Sequence, residues 1–363
     1  MSRIIHLIVG ARPNFMKMAP LFRAFEKHND KFIPRLIHTG QHYDERMSKF
    51  FFEDLMMPKP HKYLGVGSGS HGEQTARIME RYEAILLEER PDLVLVAGDV
   101  NSTVACALDA VKLHIPVGHV EAGLRSFDRG MPEEINRLVT DAISDYLFTP
   151  SLDGNENLLH EGVAEEKIHF VGNIMIDSLT NFLPQIEASA ILQQHCLEVG
   201  EYALITLHRP SNVDNQQSLE MIAGAFEEIS SRVKLIFPIH PRTVKNIAKF
   251  GLEERFSRIS NLFLTEPVGY YDFIRLERDA SFVLTDSGGL QEETTWFGVP
   301  CLTLRENTER PITVTEGTNQ LVKLDKDAII ELASEILDGK RKPGKIPNLW
   351  DGKTADRIVS IFS

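Results

Sequence analysis

Cysteine is scarce in this 363-residue chain, and its distribution argues against two kinds of site. The three cysteines are Cys106, Cys196 and Cys301, an odd number without any Cys-x-x-Cys spacing. A disulfide framework needs paired cysteines in an oxidising compartment, and a structural zinc site needs closely spaced ligands. We therefore expect reduced thiols in a cytoplasmic protein, and no metal site.

Long apolar runs and an excess of positive charge are also missing. No stretch approaches the roughly 20 apolar residues that span a bilayer, and the N-terminus does not form a signal peptide, so we expect no membrane partner. With 39 Lys and Arg against 52 Asp and Glu, the net charge is −13, which argues against nucleic acid as a partner. An anionic ligand must then be held by a few local cations.

A dinucleotide fingerprint is absent as well. The first apolar run, Arg3 to Val9, leads into Gly10-Ala-Arg-Pro and not into Gly-x-Gly-x-x-Gly. We therefore expect neither a nicotinamide nor any other cofactor.

The apolar runs that are present alternate with helical patterns along the whole chain. Short runs such as Arg3 to Val9 and Asp92 to Ala97 are typical of buried parallel strands. The alternation predicts an α/β protein with two Rossmann-like, doubly wound domains and a cleft between them. We place the N-terminal domain at residues 1–172 and the C-terminal domain at residues 173–350.

Within the second domain, a strand, a glycine turn and a helix follow one another from Ser281 onwards. The turn is Ser287-Gly288-Gly289, and the helical pattern begins at Leu290. Backbone N–H groups are unpaired at such a helix end, and the missing side chains allow a phosphate to come close. A tight strand-to-helix connection without a ligand explains the same pattern equally well.

Four candidate ligand contacts also follow predicted strands. Arg12 and Lys17 come after the first strand, on a stiff loop and helix entry that two prolines fix. His208 follows a strand of the second domain, and Arg310 stands in a later Arg-Pro turn. Ligands of open α/β sheets collect at the carboxyl ends of the strands, which favours contact with a phosphate. The alternative is that the cations are solvated and that the histidine only packs.

Three carboxylates, Asp99, Glu121 and Glu133, lie just after a predicted strand or at a helix start. Strand ends converge on one edge of a parallel sheet, so we expect all three around one crevice. Helix capping explains Glu133 and, in part, Asp99. Glu121 follows a buried strand in a turn of small residues, has no such explanation, and is the first candidate.

Seven segments carry a resemblance that covers nearly the whole chain: GARPNFMKMAP, LVAGDVNSTVA, GHVEAGLRS, MPEEINR, TLHRPSN, LTDSGGLQEE and ENTERPITVTEGT. In this order and spacing they resemble the non-hydrolysing UDP-N-acetylglucosamine 2-epimerases. The resemblance implies a glycosyltransferase-B type of fold, with the active site in the inter-domain cleft and a C-terminal helix, residues 351–363, packing back across the domains. It also implies a UDP-sugar substrate and a homodimer.

The resemblance gives these residue types a role. The family breaks the C1–O bond to UDP and removes the C2 proton, and UDP then adds back to the 2-acetamidoglucal with the proton returned on the other face. The resemblance implies catalytic roles for Asp99, Glu121, Glu133 and His208. It implies substrate contacts for Arg12, Lys17, Phe273, Ser287, Gly288, Gly289, Glu293 and Arg310. Of these, Phe273 is implied beside uracil and Glu293 on the ribose, although an aromatic residue on its own is more often part of a core.

The chain departs from the family pattern where many bacterial members bind a second UDP-N-acetylglucosamine as an activator. Asn14, Asp44, Glu73 and Ser211 replace residues of that site. We therefore predict that this chain needs no activator. A lag or a sigmoidal rate curve from the pure mannose epimer would contradict this prediction.

Other functions stay open at this point. The same route fits a modified UDP-sugar such as a 2,3-diacetamido uronic acid. A hydrolysing 2-epimerase would release N-acetylmannosamine and UDP, and a glycosyltransferase of the same fold would need an acceptor. A sugar-nucleotide binding protein without catalysis is disfavoured by the three carboxylates.

Overall fold

The computed structural model describes residues 2–41 and 57–363, and of Arg12 it describes the backbone alone. Asp44, one of the departures named above, lies outside the described residues. Within them the chain forms two compact units. One comprises the residues up to Thr180 together with Asn348–Ser363, and the other comprises Asn181–Pro347.

The first unit is built on a parallel sheet that has seven strands among the described residues. They are β1 (Arg3–Val9), β2 (Phe32–His38), β3 (Lys62–Tyr63), β4 (Leu93–Ala97), β5 (Val117–Val120), β6 (Tyr146–Thr149) and β7 (Ile168–Phe170). Their order is β3-β2-β1-β4-β5-β6-β7, so the chain winds outward in both directions from β1 and β4. All five residues of β4 are buried, as the apolar sequence of a central parallel strand requires.

Helices connect these strands. Those that precede the second unit are α1 (Arg12–Glu26), α2 (His71–Glu88), α3 (Asn101–Lys112), α4 (Pro132–Ile143), α5 (Leu152–His160) and α6 (Ile174–Asn181), with a short 3₁₀ turn at Glu165–Lys167.

Helix α1 begins at Arg12, so of the predicted stiff loop and helix entry only the helix is found, and Lys17 lies in its second turn. A proline is tolerated in the first turn of a helix, where its missing N–H has no partner to lose. Pro20 lies inside the helix and donates no hydrogen bond to the carbonyl of Met16. That carbonyl accepts a hydrogen bond from the hydroxyl of Ser178 on α6 instead.

The second unit repeats this plan with a parallel sheet that has six strands in the described chain. They are β8 (Tyr202–Thr206), β9 (Lys234–Pro238), β10 (Leu262–Thr265), β11 (Phe282–Thr285), β12 (Cys301–Leu304) and β13 (Asn319–Val322), in the order β10-β9-β8-β11-β12-β13. The helices are α7 (Leu183–Glu187), α8 (Ile191–Gln194), α9 (Pro210–Val213), α10 (Gln216–Ile229), α11 (Pro241–Lys249), α12 (Glu253–Ser257), α13 (Tyr270–Arg278), α14 (Leu290–Phe297), α15 (Pro311–Thr315) and α16 (Lys326–Leu337). The prediction of two doubly wound α/β units is confirmed.

The first unit is completed by the C-terminal segment, which contains α17 (Thr354–Ile361). The carboxylate of Asp177 on α6 accepts hydrogen bonds from the backbone N–H groups of Thr354 (3.0 Å) and Ala355 (2.8 Å). Because α6 holds both α1 and α17, the first unit extends to residue 180 and not to the predicted 172. The packing of residues 351–363 across both domains stays a prediction.

Membrane crossing needs a long apolar helix. None of the helices in residues 2–41 and 57–363 has both the length and the apolar character for it.

Candidate functional site

The turn between β1 and α1 is shaped by close contacts. A Cβ at Gly10 would lie 2.2 Å from Ser102 Oγ, so only glycine fits there. Asn14, which the resemblance places at an activator position, is buried; its side chain accepts from the N–H of Ala11 (3.0 Å) and donates to the carbonyl of Ala97 (2.8 Å). Asn14 thus joins α1 to the end of β4. That the protein needs no activator stays a prediction.

A buried ion pair joins Lys17 on α1 to Glu121, which directly follows β5. The Lys17 Nζ is 2.5 Å from Glu121 Oε2, and the two side chains are only 7% and 3% exposed. The other carboxylate oxygen, Oε1, is buried and has no hydrogen-bond partner among the described residues. A buried polar atom without a partner is costly, and this one marks a place where a ligand can complete the hydrogen bonding.

Two residues beside this ion pair have left-handed backbone. Glu121 has φ of 68°, a conformation that costs a residue with a side chain about 1–2 kcal/mol. Such strain is typical of functional sites, where the surroundings hold it. Gly98, after β4, has φ of 67°, and a Cβ on it would lie 2.7 Å from Lys17 Nζ. Glycine at position 98 therefore leaves the space that the ammonium group occupies.

Asp99 is held by helix α4. Its Oδ2 accepts a hydrogen bond from Arg137 Nη2 at 2.6 Å, and its backbone carbonyl accepts from the side chain of Asn136 at 2.8 Å. Arg137 is buried and was missed by the sequence reasoning. Its position one helical turn after Glu133 was the available signal, because that spacing puts both on one helix face.

Glu133 and Glu134 are neighbours on α4 with opposite surroundings. Glu134 is buried and accepts hydrogen bonds from the backbone N–H groups of Ser126 and Phe127 and from Arg137. Burial alone would raise the pKa of Glu134, but these hydrogen bonds lower it below its ordinary value. Glu133 is half-buried and has no hydrogen bond or ion pair among the described residues, so its carboxylate is available to a ligand.

Asp99 and Glu121 lie at the carboxyl ends of two neighbouring strands, β4 and β5. The turns that carry Asp99 and Glu121 are joined directly, because the N–H of Gly98 donates to the carbonyl of Val120 at 3.0 Å. Of Arg12 only the backbone is described, as the first residue of α1, and its contact with a ligand stays a prediction.

In the second unit, Asp286 after β11 organises the turn after β8. Its buried carboxylate accepts hydrogen bonds from the backbone N–H groups of His208 and Arg209 and from the side chain of Asn212. Burial alone would raise the pKa of Asp286, but His208 and the other donors lower it below its ordinary value. The sequence reasoning did not single out Asp286, because an aspartate at a strand end looks the same whether it holds a ligand or a backbone.

The ring of His208 is oriented by the same carboxylate. Its Nδ1 is 3.0 Å from Asp286 Oδ1, while its side chain is 49% exposed. A carboxylate beside Nδ1 occupies that ring nitrogen, which leaves Nε2 as the ring atom available to a ligand. Nε2 has no partner in the part of the chain that the structure describes.

The glycine turn after β11 leaves backbone donors open. The N–H of Ser287 is taken by Thr285 Oγ1 at 2.9 Å. The N–H groups of Gly288 and Gly289 have no partner among the described residues, and they stand at the N-terminus of α14, Leu290–Phe297. The positive end of a helix with open N–H groups favours an anion.

Arg310 lies next to this turn. Its Nε is 2.9 Å from Glu292 Oε1, and its Nη1 is 3.0 Å from Glu309 Oε1. A Cβ on Gly288 would lie 3.0 Å from the same Nη1. The two carboxylates therefore hold the guanidinium beside the glycine turn, as the predicted shared phosphate contact requires.

Glu293 is buried and Phe273 is half-buried, and both belong to the second unit. Glu293 is buried beside Glu277, and burial followed by the charge of Glu293 raises the pKa of Glu277 well above its usual range. Phe273 is half-buried and packs against the core of the second unit, so its position beside a base stays a prediction.

Comparison with known proteins gives one consistent family. A sequence model of the family described as UDP-N-acetylglucosamine 2-epimerase matches residues 23–363. The UDP-N-acetylglucosamine 2-epimerase of Methanocaldococcus jannaschii is 47% identical over 364 residues, which cover 99% of this chain and 98% of that protein. Its crystal structure in complex with UDP-GlcNAc and UDP is similar with a TM-score of 0.88 at 46% identity, over 99% of each chain.

Two other proteins bear on substrate and fold. The UDP-2,3-diacetamido-2,3-dideoxy-D-glucuronate 2-epimerase of Pseudomonas aeruginosa is 42% identical and covers 98% of each chain. The lipopolysaccharide outer core galactosyltransferase WaaB is 14% identical with a TM-score of 0.56 over 99% of each chain, a likeness of fold alone. The predicted glycosyltransferase-B type of fold is thereby confirmed.

Proposed function

Because this chain belongs to the UDP-N-acetylglucosamine 2-epimerase family, we propose that it interconverts UDP-N-acetylglucosamine and UDP-N-acetylmannosamine. The C1–O bond to UDP breaks, the C2 proton is removed, and the 2-acetamidoglucal then takes UDP back with a proton added on the other face. The observation that carries the proposal is the buried Lys17–Glu121 pair, whose second carboxylate oxygen has no partner among the described residues.

Proton removal and return are assigned to the first unit. Glu121 is the leading candidate for the C2 proton, since its open oxygen Oε1 is held in a fixed place by the ion pair with Lys17. Asp99 and Glu133 are the remaining carboxylates for the transfer on the other face of the ring. Asp99 is oriented by Arg137, and Glu133 is unbound by other residues of the described chain.

The departing diphosphate is assigned to donors of the second unit together with Arg12 of the first. Negative charge develops on the UDP oxygen as the C1–O bond breaks, and fixed donors stabilise it. The open N–H groups of Gly288 and Gly289, the guanidinium of Arg310 and the Nε2 of His208 are such donors. Arg12, Phe273, Ser287 and Glu293 complete the proposed contacts with the nucleotide.

The test is incubation with UDP-N-acetylglucosamine in heavy water, followed by NMR. We expect deuterium at C2 together with the mannose epimer. Glu121→Gln removes the base and should abolish the exchange while leaving UDP affinity within about twofold of wild type. The control is Glu227→Gln, which changes an exposed carboxylate paired with Arg255 and should keep full exchange. Exchange that persists in the Glu121 variant would show that another group takes the proton.

A second substrate deserves the same assay, because the P. aeruginosa relative acts on a diacetamido uronic acid nucleotide. Side-by-side turnover of both UDP-sugars decides between them. Free UDP that accumulates in proportion to product would instead indicate the hydrolysing reaction, and turnover only with an acceptor would indicate glycosyl transfer.

The proposal extends to a homodimer in the cytoplasm. The support for the compartment is that all three cysteines are free, two of them buried. Light scattering coupled to gel filtration measures the oligomeric state, and a monomer at micromolar concentration would contradict the dimer.

A further inference from the structure

His119 lies on β5, two residues before Glu121, and makes two hydrogen bonds through a fully buried ring. Its Nδ1 is 2.6 Å from Asp141 Oδ1 on α4, and its Nε2 is 2.8 Å from the carbonyl oxygen of Gly98. Ring and carboxylate are 0% and 1% exposed. Neither residue has a role in the site described so far.

Asp141 fixes the turn that follows Glu121. Its Oδ2 accepts a hydrogen bond from the backbone N–H of Gly123 at 3.1 Å and pairs with Arg125 Nη1 at 2.7 Å. Burial alone would raise the pKa of Asp141, but His119 and then Arg125 lower it below its ordinary value.

Both the N–H and the carbonyl group of Gly98 are hydrogen-bonded. Its N–H donates to the carbonyl of Val120, and its own carbonyl accepts from His119. A shift of this glycine moves Asp99, the next residue, and changes the space that Lys17 Nζ occupies.

We propose that His119 and Asp141 are positioning residues for the epimerase reaction, because together they join the turn of Asp99 to the turn of Glu121. The His119 ring bonds the first turn through Nε2, and Asp141 bonds the second through Gly123. The two carboxylates that transfer protons are thereby held at a fixed separation. The inference rests on the proposed function.

The two hydrogen-bond partners of the His119 ring also determine how many protons its two bonds need. One is the carbonyl oxygen of Gly98, which only accepts, so the bond to it needs a proton on Nε2. The other is the carboxylate of Asp141, and the bond to it needs one more proton between Nδ1 and Oδ1.

His6 on β1 shows the contrast. It is equally buried, but its Nδ1 lies 3.1 Å from the hydroxyl of Tyr82, which can donate, while its Nε2 lies 3.4 Å from Glu89. One N–H satisfies both contacts of this ring, and burial lowers the pKa of His6 to about 4.

Two amide substitutions break one link each. His119→Asn places its NH2 near the position of Nδ1 and keeps the bond to Asp141, whereas His119→Gln places it near Nε2 and keeps the bond to Gly98. We expect kcat for C2 exchange to fall about 100-fold in both variants, because a misplacement of about 1 Å has such an effect. UDP affinity should stay within about twofold, because neither His119 nor Asp141 contacts a residue that is proposed to hold the diphosphate.

His6→Gln is the matched control. It removes an equally buried histidine from the same sheet, and it should lower thermal stability without changing kcat. If the His119 variants lose stability like this control and keep the wild-type kcat, the pair is only structural and the proposal is overturned.

If the His119 variants do not fold, neutron diffraction of the wild-type protein tests the proposed link instead. Deuterium on Nε2 together with deuterium between Nδ1 and Asp141 supports the two-sided link, and the absence of either overturns it. This measurement is also independent of the proposed function. A wild-type protein that incorporates no deuterium at C2 refutes the epimerase reaction, whereas the neutron result reports on the link itself.

Discussion

Gly98 and Glu121 share a left-handed backbone for different reasons. Glu121 lies in a turn that is held by the N–H of Gly123 bound to Asp141, and its carboxylate is in the buried ion pair with Lys17. At Gly98 the conformation is free of strain, and the absence of a side chain matters more, since it leaves room for Lys17 Nζ.

We predict that Gly98→Ala separates these two effects. The new methyl group displaces Lys17 Nζ from its place 2.7 Å away, so kcat for C2 exchange should fall at least about tenfold. The left-handed alanine should also lower the free energy of unfolding by about 1 kcal/mol. Enzyme assays and chemical unfolding measure the two quantities.

Gly162→Ala is the control for backbone strain. Gly162 has φ of 84° and no atom within 4 Å of an added Cβ, so this variant should lose the same stability and keep its kcat. Equal kcat in the two alanine variants would show that the ion pair does not depend on the space at Gly98.

In the proposed reaction, the turn before α14 and the first residues of α14 bind the diphosphate. The two glycines of this turn differ, because a Cβ on Gly288 would crowd Glu309 and Arg310, whereas a Cβ on Gly289 would meet nothing within 4 Å. Gly289 also has ordinary helical backbone, with φ of −65°. An alanine at position 289 therefore fits the protein itself.

We predict that Gly289→Ala weakens UDP binding without affecting the fold. The methyl group lies where the diphosphate should approach the open N–H groups, so Kd for UDP should rise at least about tenfold, or 1.4 kcal/mol. Calorimetry measures Kd, and the melting temperature should not fall. Gly72→Ala on α2, also without neighbours, is the control. An unchanged Kd in the position-289 variant would place the diphosphate elsewhere.

The elements themselves could largely be predicted from the sequence, because buried parallel strands such as Leu93–Ala97 are continuous apolar runs between turn residues. The start of α1 could not, since prolines are compatible with both a loop and a first helical turn. Contacts between distant residues were also out of reach. Lys17 and Glu121 are 104 residues apart, and each was a candidate without any indication that they touch.

Polar residues that hold other residues in position were harder to predict from the sequence. Arg137 and Asp286 determine the positions of Asp99 and His208, yet an arginine on a helix face or an aspartate after a strand is most often solvated. Their roles depend on burial, which only the assembled fold provides.

At the scale of the whole molecule, the first unit depends on a contact between α6 and α17. Asp177 caps α17, and burial raises the pKa of Asp177 from 3.8 to about 6, against the hydrogen bonds from Ala355 and Thr354, which lower it. A carboxyl group with a raised folded-state pKa favours folding when protonated. Its contribution is complete below about pH 4 and is lost as the pH rises through about 6.

We predict that this contact weakens with rising pH in the wild type and not in Asp177→Asn, which cannot titrate. The difference between about pH 4 and pH 7 should be on the order of 2–3 kcal/mol. Hydrogen exchange of the amides in Thr354–Ile361, compared between the two proteins at each pH, measures it. Amides of Gln216–Ile229 in the second unit should exchange equally in both, and parallel pH curves for α17 would refute the assignment.

The return of residues 348–363 to the first unit also determines the order in which the chain can mature. Residues 181–347 are contiguous, so all residues of the second unit are synthesised before α17 of the first unit. The unit whose synthesis begins first is therefore completed after the second one, and until Thr354–Ile361 has been made the carboxylate of Asp177 has no helix to cap.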